Sequence, residues 1–190
     1  TGGINAAPGE HQVTLSVGST SETQTLPLAI DPRWSQTEDD LKAQFEAASK
    51  AKQLLTDCHN LIGKLRSMRK QLKAIGNRKL SEEIKEKFET ESKPILTALT
   101  DLENELIQTA SESGQDPINY PPMLDDQIAY LYSVVNGLDD RPNAGIYERL
   151  EDLKTALKPH QMKMDELTGE IRSINKMLMD NGVGVISEQR

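Results

Sequence analysis

Between Ile146 and Leu178, apolar residues recur at alternating spacings of four and three. They run Ile146, Leu150, Leu153, Leu157, then His160, Met164, Leu167, Ile171, Ile174 and Leu178. That is the seam of one long amphipathic helix. A helix with a single apolar stripe is unstable alone and needs partners along its length. The same pattern runs earlier through Leu41, Phe45, Ala48, Ala51, Leu55, Cys58, Ile62, Leu65, Met68, Leu72 and Ile75. It predicts a first helix over residues 37–76, a rod of about 55–60 Å, opened by Thr37 as N-cap and stopped at Gly76-Asn77.

Ser81 caps a second helix, predicted over 81–112 on Ile84, Phe88, Ile95, Leu99, Leu102, Leu106 and Ala110, with a kink near Pro94. A loop follows, rich in Gly, Asn, Asp and Pro. A short third helix is expected over 123–138 on Leu124, Ile128, Leu131, Val135 and Leu138. The long fourth spans 143–181, capped by Asn143 and carrying Pro159, and the apolar tail Val183–Ile186 is expected to fold back onto the bundle end.

Residues 1–33 follow a different period. His11 to Val17 alternates, with Val13, Leu15 and Val17 on one face. Gly18-Ser19-Thr20-Ser21 reads as a hairpin loop. Thr23 to Ile30 alternates again, with Pro27 marking an edge or bulge. Two strands do not make a stable sheet in water, so the hairpin is either the end of a β-sandwich or leans on the helices, and the first reading is preferred. The fold class is therefore mainly α: an elongated antiparallel four-helix bundle over 34–190 with a short third helix, preceded by a β-hairpin over 1–33. Short links predict that the helices alternate in direction.

Composition narrows the function. Net charge −8 disfavours nucleic acid, and 36% apolar residues with mean hydropathy −0.58 fit a lean soluble bundle. No apolar run approaches the roughly 20 residues of a membrane span. The start Thr1-Gly2-Gly3 reads as an internal position of something longer. Lys64, Arg66, Arg69, Lys70, Lys73, Arg78 and Lys79 read as a solvated face paired with Glu82, Glu83, Glu86, Glu89 and Glu91 across the first turn. Asp125-Asp126 and Asp139-Asp140 are spaced as capping charges, not as a calcium loop.

No Glu-x-x-His pair, Gly-rich phosphate loop, Cys-x-x-Cys or nucleophile elbow occurs. His59 and His160 fall at similar heights, with Cys58 beside the first, but no fourth ligand is evident. They read as a half-buried histidine layer, so no catalytic, cofactor-binding or metal residue is assigned and no cofactor is expected.

Pro8 to Val17, Pro27 to Arg33 and Asp40 to Phe45, followed by Pro121-Pro122, Gly137-Leu138-Asp139 and Pro142-Asn143, carry a resemblance. Together they resemble the C-terminal region of bacterial secreted proteins with sialidase-type, sortilin-like BNR-repeat β-propellers, often labelled glycosyl hydrolases. The resemblance covers most of the chain and its motifs are structural. It implies that residues 8–33 are the last strands of an immunoglobulin-like module and that the chain is exported. Any hydrolase site would lie in the propeller.

The expected role is a non-catalytic accessory, scaffold or protein-interaction domain. Its partner would be its own propeller, another protein, or a second copy through the hairpin edge. The alternative is a wall or lid of a glycan-processing site supplied by the propeller.

Overall fold

The computed structural model describes residues 2–112 and 119–187. It is mainly helical. A two-stranded antiparallel hairpin, β1 (Gly9–Val17) and β2 (Thr20–Leu28), precedes α1 (Glu38–Gly76), α2 (Glu82–Leu106), α3 (Leu124–Asn136) and α4 (Ala144–Asp180). The chain forms two compact units, one of Thr1–Gln53 with Ala129–Leu150 and one of Leu54–Ile128 with Glu151–Arg190.

Capping chemistry sets the helix starts. The Asp40 amide donates to Thr37 Oγ1 while Thr37 N–H donates back to the Asp40 carboxylate, a reciprocal box. The bonds from Thr37, with Arg141 behind them, hold the Asp40 carboxyl at about 2. Ser81 receives the Ile84 amide, and Asn143 Oδ1 receives that of Ile146. At the far end of α4, Gly182 turns left-handed at φ +70, so the Val183 amide reaches back to the Leu178 carbonyl. The tail then folds back as expected: Asn175 bonds both the N–H and the C=O of Ile186, which is buried.

In the first unit the hairpin and residues 2–8 accompany three helical segments. The Lys52 ammonium lies 5.6 Å from the Tyr132 ring centre, and Gln44 bonds the Val135 carbonyl, so α3 runs against α1. Arg141, just before α4, pairs with Asp40 near the start of α1. Residues 2–5 lie along α3, where the Tyr132 hydroxyl meets the Gly2 and Gly3 carbonyls and Asn5 makes two bonds to Asn136.

In the second unit α2 opposes α1. Phe88 packs against Gly76, while Glu103 meets Arg66 and Arg69. Its core contains Leu65, Met68, Leu72, Leu99, Leu106, Leu157, Met164, Leu167, Ile171 and Ile174, all almost wholly buried.

The seam of α4 is buried as its spacing predicts, and α2 and α4 run unbroken through Pro94 and Pro159. Several expectations need correction. Helix directions do not simply alternate, because α1 and α4 run the same way. Asp57 to Lys64 share a depression with Gln161 to Asp165, and Gln71 further along α1 bonds Ser187 of the tail that Asn175 holds.

Helix α2 stops at Leu106 rather than near 112, with Ile107 extended at φ −136. Gln108 and Thr109 there bond Ala110, Pro121 and Asn104 through their side chains, competing with helix continuation. Strand β2 covers residues 20–28, not 23–30, because the loop is only Gly18-Ser19, with Gly18 at φ +60 in the position a two-residue turn reserves for glycine. Finally, Phe45 is 37% exposed and Gln44 takes its place inside.

Candidate functional site

Cys58, His59 and His160 all lie in the second unit, and they do not form one centre. Among the described residues, no three His, Cys, Asp or Glu side chains converge to hold a metal. His59 Nε2 lies 3.9 Å from Asp125 Oδ2. The His160 ring sets Nδ1 2.9 Å from the Ala156 carbonyl and Nε2 3.2 Å from Glu105. Each histidine therefore has its own acidic partner.

Cys58 is fully buried, and its thiol is pushed up to about 12 by burial and then by the charge of Asp125. The thiolate is the reactive form, so a disulfide reagent at neutral pH should label no thiol in the native protein. It should label one after denaturation, and rapid native labelling would show that this part of the core opens. Asp125 is itself raised, by burial and then by Asp126.

The basic run on α1 is not paired as its sequence suggests. Arg66 and Arg69 both turn to Glu103, which is only 5% exposed. Among the described residues, Glu82, Glu83, Glu86, Glu89 and Glu91 make no ion pair. The Glu103 pair is a structural clasp inside the second unit.

The features that look outward are in the first unit. The hairpin register pairs His11 with Leu26, Val13 with Gln24 and Leu15 with Glu22. Directly paired residues share a face, so Val13, Leu15, Val17, Leu26 and Leu28 lie on one side. The other side carries hydroxyls, with Thr14 bonded to Thr23 at 2.8 Å and Ser16 to Ser21 at 2.7 Å. The apolar side is uncovered: Leu15 and Val17 are 70% exposed, and Val13 and Leu26 52%.

At the foot of the hairpin lies a cavity of about 360 Å³, walled by Asn5–Pro8, Leu28–Asp31, Trp34, Leu41, Gln44, Leu138 and Asp139. Sequence reasoning did not find it. The available signals were an isolated Trp in a linker and a Gln at a seam-compatible position.

Set against protein-family models, curated proteins and solved structures, the chain matches none of them.

Proposed function

We propose that this chain is a non-catalytic accessory and protein-interaction domain of an exported propeller protein, as the resemblance implies. The observation that supports this most directly is the exposed apolar face of the hairpin. A two-stranded ribbon with an uncovered Val and Leu face is half of a packing interface, and contiguous exposed apolar surface marks interaction sites. The residues of β1 (Gly9–Val17) include no Lys and no Pro, and its pairing with β2 has no bulge. Those are the devices that normally protect an edge, whereas β2 carries Pro27. The fitting occupant is therefore a β-module that adds a strand beside β1 and lays a second sheet over the apolar face. The resemblance makes the rest of an immunoglobulin-like module, following the propeller, that occupant.

The native chain should bind an anionic naphthalene dye with enhanced fluorescence. Changing Val13, Leu15 and Val17 together to Thr, which keeps strand propensity, should remove most of it. An unchanged signal would mean that this face is not the adhesive surface and would overturn the reading. Glycoside substrates offered to the isolated chain should show no turnover, and saturable hydrolysis would refute the non-catalytic role.

A further inference from the structure

We infer that, when no other module takes the edge of β1, this strand pairs with β1 of a second copy of the chain, antiparallel and about a two-fold axis through Val13. The register of the hairpin decides which backbone groups are on offer. A two-residue loop is closed by a pair that exchanges both backbone bonds, here Val17 and Thr20. Bonded and non-bonded pairs alternate from there, so Leu15, Val13, His11 and Gly9 also turn their N–H and C=O toward β2. Glu10, Gln12, Thr14 and Ser16 turn theirs away from it. Two side-chain observations agree with this parity. The hydroxyls of Thr14 and Thr23, and of Ser16 and Ser21, meet as the closer side chains of non-bonded pairs do. Pro27, which has no N–H to give, sits opposite Glu10 in another such pair.

The outer edge of β1 is thus an unbroken row of donors and acceptors. Glu10, Gln12, Thr14 and Ser16 are exposed, and none of them makes a backbone bond outside the hairpin. Among the described residues no third strand joins the sheet. The corresponding edge of β2 lacks the donor at Pro27.

A second β1 fits this row because the strand is its own complement. Val13 is the midpoint of Gly9–Val17, so a two-fold axis there, normal to the sheet, gives every residue of the strand a partner. Gln12 then exchanges bonds with Thr14 of the second copy, and Glu10 with Ser16, so no like charges are opposed. On the other face Val13 meets its own counterpart and His11 meets Leu15 of the second copy. The apolar rows of both copies therefore lie on one side. The two strands of each copy become a sheet of four, past the about three strands that a sheet with one apolar face needs.

The dimer rests on the interaction reading above but fails separately: a monomeric chain that still binds the dye overturns the dimer alone. Sedimentation equilibrium of the native chain should show a monomer–dimer equilibrium with a dissociation constant on the order of 10–100 μM. Gln12→Pro removes an outward N–H, as Pro27 does on β2, and should weaken association about tenfold or more. Thr25→Pro, directly across on the far edge, removes an N–H that the dimer does not use and should leave association unchanged. Cross-linking reads the register. Cys58 is buried, and opposed residues of a non-bonded pair have Cα atoms about 4.5 Å apart, so Val13→Cys should give a disulfide-linked dimer under oxidised glutathione. Leu15→Cys should not, because its own counterpart lies about 13 Å further along the strand. A monomer throughout that concentration range, equal losses in the two proline variants, an undiminished dimer in Gln12→Pro, or a Val13→Cys chain that does not cross-link would each overturn the proposal.

Discussion

Replacing Arg66 and Arg69 together with Met should cost about 3–5 kcal/mol of stability, read as a lower urea midpoint with an unchanged slope. Glu103 is 5% exposed, and these two guanidiniums are its charge partners. Without them the carboxylate is stranded in an apolar interior, which costs far more than a surface pair contributes. A triple variant that also carries Glu103→Leu should recover most of the loss, since apolar replacement of a whole buried ion group is often neutral or better.

The pH dependence separates this from simple packing damage. Burial pushes the Glu103 carboxyl up, but the hydrogen bonds and charges of Arg66 and Arg69 outweigh it and hold the group below the ordinary glutamate value. Its contribution is therefore present above about pH 4.3 and is lost as pH falls through the lower folded value. In the double variant only burial remains, so that contribution should change sign and stability should fall as pH rises through the same region. An acid limb of unchanged slope would show that the clasp does not govern the titration.

Ile171→Ala should cost about 2–5 kcal/mol, because the residue is 0% exposed in the α4 seam and truncating it leaves a cavity. Phe45→Ala should cost much less, on the order of 1 kcal/mol, since that ring stands 37% exposed. Equal losses in chemical denaturation would contradict the burial assignment at both positions.

The contrast between these two residues marks how far the sequence was legible. Spacing alone placed Ile171 correctly because every neighbour in its stripe agreed with it. At the start of α1, however, steps of four then three and of three then four both connect Leu41 to Ala48, and hydrophobicity favoured Phe45. The protein chooses Gln44, because its amide donates to the Val135 carbonyl in the last turn of α3, beside the Leu138 amide that the same carbonyl accepts. A tertiary hydrogen bond decided a tie that periodicity could not.

The same blindness explains the missed cavity, whose wall joins residues 5–8 to Asp139 across the length of the first unit. Caps were easier. Thr37, Ser81 and Asn143 act locally, and all three were readable from their own neighbourhoods. Helix direction was least legible: no residue of α1 or α4 announces that the two run the same way, which the Gln71 bond to Ser187 reveals.

The paired hydroxyls on the outer side of the hairpin have a consequence for fidelity. Side chains alternate along a strand, so a slip of one position would turn the whole apolar row over to the opposite side. Such a slip would also separate Thr14 from Thr23 and Ser16 from Ser21, because each bond joins directly opposed residues. The two hydroxyl bonds therefore act as a proofreading mark on a ribbon that has little else to hold it in phase. They favour the one alignment in which the sticky side is presented whole.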